Sequence, residues 1–161
     1  MMNKERLLQC IIDILTRDFQ VVFAAAKAAH EAAIHEETVP DNEYDTLSLE
    51  ASYLAQGQAN RAQEIKRELD IFRGLTLQRF AEGGRIRLTA LVSLEDEEGS
   101  RRKIFLGPAA GGLKVLCDGE EVVVITPESP LGRQLLGKEA GDAVAIEAGG
   151  VEKEYEIVEL V

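Results

Sequence analysis

Val39-Pro40-Asp41-Asn42-Glu43-Tyr44-Asp45 separates two long segments that both carry helical periodicity. Proline lacks an N–H and disfavours helical geometry at the residue before it, so Pro40 predicts the end of the first helix. Upstream, the apolar positions run Leu8, Ile12, Leu15, Phe19, Val22, Ala26, Ala29 and Ala33. Steps of four and three alternate along this run, which is an unbroken heptad seam. Its side chains shrink toward Pro40, which predicts closer helix approach there. Downstream, Leu47, Ala51, Leu54, Gln58, Ala62, Ile65, Leu69 and Phe72 make a second seam, with a stutter at Gln58. Gly57 lies beside that stutter and costs about 1 kcal/mol relative to alanine in a helix. It predicts close packing or a slight bend. The short turn between the seams predicts an antiparallel coiled-coil hairpin of roughly 30-residue helices, each ~45 Å long.

After Gly83-Gly84 the apolar period changes from 3.5 to two. Ile86, Leu88, Ala90 and Val92 alternate with more polar neighbours and predict a strand, closed by the polar turn Glu95 to Ser100. Ile104-Phe105-Leu106 continues the sheet. Leu113 to Cys117, the turn Asp118-Gly119 and Val122 to Ile125 read as a hairpin, since Asp-Gly suits a type I′ turn. Ser129-Pro130 opens a short helix, with serine as N-cap and proline at the first helical position, and Gly137 closes it. Ala143 to Ile146, Gly149-Gly150 and Tyr155 to Leu160 form a last strand pair. The predicted class is α+β, with a helical hairpin over residues 1–79 and a β domain with one short helix over 80–161.

Composition narrows the function classes. The net charge is −11, shared as −4 before residue 80 and −7 after it. An acidic surface of this kind excludes a duplex-coating nucleic-acid binder, which needs a basic face, and favours a protein partner rich in Lys and Arg. No run approaches the ~18 apolar residues of a membrane span, and Asn3-Lys4-Glu5-Arg6 leads into an amphipathic segment rather than a signal peptide. The two cysteines, Cys10 and Cys117, are far apart in sequence and outside any CxxC. They read as reduced thiols of a cytoplasmic protein rather than metal ligands.

His30 and His35 superficially suggest a zinc-protease helix. Their spacing of five turns them about 140° apart at 100° per residue, so they cannot share one metal. Gly107-Pro108-Ala109-Ala110-Gly111-Gly112 lacks the lysine and following helix of a phosphate loop and reads as a strand connection. No Ser/His/Asp or Cys/His grouping supports nucleophilic catalysis. Asp41, Glu43 and Asp45 leave two readings open. They solubilise a turn, with Asp45 or Thr46 capping the second helix, or they help to coordinate a hard cation such as Mg²⁺ that a partner already holds.

Ser129-Pro130-Leu131-Gly132-Arg133-Gln134-Leu135-Leu136-Gly137-Lys138, followed by Gly141-Asp142, resembles the pattern of the bacterial Gre transcript cleavage factors. Glu154 to Val158 fits it too, so the likeness covers roughly residues 80–161, and Asn42-Glu43-Tyr44 resembles the Gre hairpin tip. The resemblance implies an FKBP-like β domain that docks at the secondary-channel rim of RNA polymerase, with Ser129, Pro130, Arg133 and Lys138 as binding residues. It implies no enzymatic activity and no cofactor of the chain's own. Asp41, Glu43 and Asp45 would then reach the polymerase's catalytic Mg²⁺, with indirect contact to nascent RNA and none to duplex DNA. Anchored on Tyr44, Asp41 stands where the family has its glutamate and Thr38 where it has its aspartate. Anchored on Gln56-Gly57, the acidic positions fall on Asn42 and Asp45. Stimulated RNA cleavage therefore stays open beside modulation of, or competition for, the polymerase without cleavage, as does a plain protein-interaction module. Prolyl isomerisation has little aromatic support, only Phe80, Phe105 and Tyr155.

Overall fold

The structure, a computed structural model, describes residues 2–37 and 45–161, and side chains outside 36–51. Helix α1 spans Lys4–Glu37 and helix α2 spans Asp45–Arg73. Strands β1 (Leu91–Glu95), β2 (Arg101–Leu106), β3 (Lys114–Cys117) and β4 (Glu120–Ile125) precede the short helix α3 (Pro130–Leu135). Strands β5 (Ala143–Ala148) and β6 (Val151–Leu160) complete the chain. The expected α+β class, with a two-helix hairpin and a β domain bearing one short helix, is the one observed. Two compact units emerge: Met1–Ile11 together with Gly74–Val161, and Ile12–Arg73.

In the Ile12–Arg73 unit, burial follows the heptads. Leu15, Ala29 and Ala33 are buried, and Phe19, Val22 and Ala26 are half-buried between exposed neighbours. On α2 the inward series is Ala55, Gln58, Ala62, Ile65, Leu69 and Phe72. Its steps alternate three and four, so the expected stutter at Gln58 is absent. Ala55 takes the place expected for Leu54, which is 57% exposed. Keeping an even 3.5-residue period leaves one leucine in solvent but avoids the local unwinding that a stutter imposes. Gly57 neither permits a close approach nor needs one, since a Cβ built there meets no atom within 4 Å.

At the start of α1 a different partner chooses the buried face. Asn3 caps the helix, its side-chain oxygen accepting from the Arg6 N–H at 3.0 Å. Leu7 and Ile11 are fully buried, one residue earlier than the expected Leu8 and Ile12, which are only half-buried. These first turns belong to the same compact unit as the sheet, so its surface sets their orientation, and the heptad does not.

The six strands form one mixed sheet in the order β3-β4-β2-β1-β6-β5. All neighbours are antiparallel except β2 and β4, which run parallel with Ile104 opposite Val123. The Asp118-Gly119 turn has φ of 50° and 82°, the two positive values that a type I′ hairpin requires. A register shift between Ser93 and Leu94 interrupts the β1–β6 ladder. Val92, Leu94, Ile104, Leu106, Leu135 and Ile157 are among the side chains of the buried core.

The alternating run from Ile86 does not become a strand until Leu91. Thr89 has φ of 74°, a left-handed value that is costly for a β-branched residue and breaks the extension. Two contacts offset that strain. The Thr89 hydroxyl accepts from the Gln78 N–H at 2.8 Å, and its own N–H donates to the Leu106 carbonyl at 2.8 Å. The alternation fails with the backbone: Thr89 and Ala90 are both buried.

Candidate functional site

Asp41 and Glu43 lie outside the described residues, and Asp45 is the first residue of α2 with its side chain outside them. The second predicted cluster, around α3, is fully described. Ser129 is the N-cap of α3, its Oγ accepting from the Gly132 N–H at 3.0 Å and donating to the Thr126 carbonyl at 2.7 Å. Pro130 occupies the first turn, where its missing N–H costs nothing. Their first role is therefore to build the helix.

Gly132 is the residue that the local geometry needs most. A Cβ on it would stand 1.9 Å from the Thr126 carbonyl oxygen, an impossible approach. Only glycine lets α3 settle onto the 126–127 backbone. At its far end Gly137, at φ 80°, donates its N–H to the Ile86 carbonyl at 2.8 Å. The Ile86 N–H donates in return to the Lys138 carbonyl at 2.7 Å. Gln134 clamps the helix to β5 through both amide atoms. Its Nε2 donates to the Ala145 carbonyl at 2.7 Å, and its Oε1 accepts from the Ala145 N–H at 2.9 Å. The side chain thus replaces one missing strand neighbour of the sheet edge.

Between α3 and the sheet lies a groove of about 770 Å³. Ile104, Val123, Ile125, Leu131 and Ile146 give it apolar walls, and Ser129, Pro130 and Gln134 add lining from the helix. Arg102, Lys103, Glu121, Glu147 and Glu152 bring mixed charge to it. Lys103 is ion-paired with Glu120, and that hydrogen bond holds the Glu120 carboxyl below the ordinary carboxylate range. Of the four predicted binding residues, Ser129 and Pro130 line the groove; Arg133 and Lys138 do not. Arg133 projects into solvent from α3, and Lys138 is half-buried after Gly137. Phe80, Phe105 and Tyr155 also lie outside the lining, Phe105 and Tyr155 being buried.

Another polar centre ties the β1–β2 turn to β6. Asp96 caps the β1–β2 turn, one Oδ accepting from the Glu98 and Ser100 N–H groups at 2.9 Å each. Its other oxygen pairs with Lys153 of β6 at 2.8 Å. The lysine hydrogen bond, helped by the two backbone donors, holds the Asp96 carboxyl below its ordinary value. The same hydrogen bond raises Lys153.

Gly132, Gln134 and Thr89 carry structural roles that residue types alone did not single out. Their signal is three-dimensional: a close backbone approach, a sheet edge to cover, and a left-handed turn.

Residues 81–160 match the family described as "Transcription elongation factor, GreA/GreB, C-term". The chain is 29% identical over 134 residues to a transcription elongation factor GreA of Thioalkalivibrio sulfidiphilus, covering 81% of this chain and 77% of that one. A GreA of Mesorhizobium japonicum is 28% identical over 137 residues, covering 83% and 79%. A solved structure of the transcription factor Gfh1 aligns over 92% of both chains at 22% identity and a TM-score of 0.42, too low a likeness to bear on fold or function. The domain match across the second half, continued by the GreA similarity into the first, makes this chain a member of the Gre family.

Proposed function

We propose that the chain is a transcription elongation factor that binds RNA polymerase at its secondary channel and stimulates cleavage of backtracked RNA. The observation that carries this reading is the GreA/GreB domain match over residues 81–160, with the capped α3 inside it. In this reading the factor is not itself an enzyme and holds no cofactor of its own. It works in the cytoplasm and touches nascent RNA only indirectly. Ser129 and Pro130 shape the docking face, while Arg133 and Lys138 offer cationic contacts beside it. Asp41, Glu43 and Asp45 are hard oxygen donors that fit an ion of the polymerase's Mg²⁺ type, and would add ligands to it.

A second reading is modulation of elongation without cleavage. Thr38 favours it, because in the Tyr44-anchored register it stands where the family has an aspartate. One experiment separates the two. The chain is added to stalled, backtracked elongation complexes, alongside the variant Asp41→Asn/Glu43→Gln/Asp45→Asn. Shortened RNA with the natural chain and none with the variant supports cleavage stimulation through the tip. Altered elongation with no shortening supports modulation. Equal cleavage by both proteins removes the tip from the mechanism.

A further inference from the structure

Cys10 and Cys117 are 107 residues apart and are the only cysteines of the chain. Both are free, and their sulfurs lie 2.6 Å apart. That is about half an ångström beyond a covalent S–S bond of ~2.05 Å. Both residues belong to the same compact unit, Cys10 in the first turns of α1 and Cys117 at the end of β3. Neighbouring contacts keep these segments together. The Cys117 thiol lies 3.8 Å from the Arg6 carbonyl, the Arg6 guanidinium pairs with Asp118 at 3.6 Å, and Leu7 and Ile11 are buried on either side of Cys10. The two thiols are therefore held in contact by surrounding structure.

We propose that Cys10 and Cys117 form a redox modification site, a dithiol that a low-molecular-weight disulfide such as glutathione disulfide converts reversibly into an intrachain disulfide. The proposal is independent of the polymerase reading. Cys10 is half-buried and accessible, whereas Cys117 is 1% exposed, so Cys10 is the sulfur that meets the oxidant. The Cys10 thiol loses its proton and its sulfur attacks one sulfur of glutathione disulfide. The S–S bond of the oxidant breaks, one glutathione leaves as a thiolate and takes up a proton, and a mixed disulfide remains on Cys10. Cys117 then loses its proton, attacks the Cys10 sulfur and expels the second glutathione. Two cysteine thiols are oxidised to one disulfide, and one glutathione disulfide is reduced to two glutathione thiols.

Burial pushes the Cys117 thiol up to about 12, with the adjacent Cys10 sulfur adding to the effect. This suppresses attack by Cys117 on external oxidants and leaves proximity to Cys10 as its route to reaction. The product joins the beginning of α1 to the β3–β4 hairpin.

The test equilibrates the full chain in glutathione buffers of increasing disulfide fraction, quenches with acid and maps thiols by non-reducing peptide mass spectrometry. The expected result is a linked Cys10–Cys117 peptide in monomeric protein, exceeding the Cys10 glutathione adduct by roughly tenfold because the second thiol is already in place. Cys117→Ser should instead accumulate the adduct on Cys10, and Cys10→Ser should leave Cys117 unmodified. If Cys117→Ser fails to fold, the Cys10→Ser result and the natural chain decide the matter. Two free thiols in the natural chain across the whole buffer range would overturn the proposal. So would a terminal glutathione adduct on Cys10, or a cross-link found only between chains.

Discussion

Gly57 and Gly132 sit in the two regions of this molecule and do opposite things. In the hairpin, Gly57 faces open space, and nothing in its surroundings requires the absence of a side chain. In the β domain, Gly132 lies so close to the Thr126 carbonyl that any Cβ would force backbone to move. The difference reflects how each region is held. The helices are built from local hydrogen bonds and a repeating seam, and one residue on the outer face matters little. The β domain joins segments distant in sequence, so single positions such as Gly132, Gln134 and Thr89 set the fit between elements.

Four stability measurements sharpen or break that contrast, each read by chemical denaturation. Gly132→Ala should lower stability by about 3 kcal/mol, because relieving the overlap means displacing α3 or residues 126–127. A loss under 1 kcal/mol would show that the close approach is not required. Thr89→Val should cost roughly 2 kcal/mol, since it keeps the strained backbone but leaves the Gln78 N–H without its acceptor. Gly57→Ala should have the opposite sign and raise stability by about 1 kcal/mol, the helix propensity difference at an open site. Destabilisation there would reveal a hidden demand on the hairpin surface.

The smallest effect concerns pH. The Asp96 carboxyl is held below its ordinary value of 3.8 in the folded chain, first by the Lys153 hydrogen bond. A carboxylate with a depressed folded value stabilises the protein above its unfolded value, and that contribution disappears as pH falls through the folded one. The natural chain should therefore exceed Asp96→Asn in stability at neutral pH, with the gap closing below about pH 4. A gap that is constant with pH would place the role of Asp96 in shape rather than charge.

Much of the fold was legible where local chemistry decides it. Heptad spacing outlined both helices, Asp118-Gly119 announced its hairpin, and Ser129-Pro130 with Gly137 bounded α3. Packing choices between adjacent residues were less legible. Leu54 and Ala55 differ by one position, and only the even period of the buried series turns the alanine inward. The strand expected from Ile86 failed because alternation carries no information about the left-handed Thr89. The parallel β2–β4 pairing and the contact between Cys10 and Cys117 depend on chain separated by many residues, which periodicity does not register. At the candidate site, the Ser129-Pro130 start of α3 was legible as a capped helix. That Ser129 and Pro130 line a groove while Arg133 and Lys138 stand outside it depends on how α3 packs against the sheet, which the motif does not record.

The central claim is that this chain works on RNA polymerase through the domain carrying α3. The most direct measurement is equilibrium binding of the labelled full chain to purified bacterial RNA polymerase, beside the variant Arg133→Ala/Lys138→Ala. Both substituted side chains lie outside the groove lining, so α3 and the fold should survive the change. The account expects saturable binding by the natural chain and roughly tenfold weaker binding by the variant, corresponding to about 1.4 kcal/mol. A correctly folded natural chain that shows no saturable binding to the polymerase would contradict it.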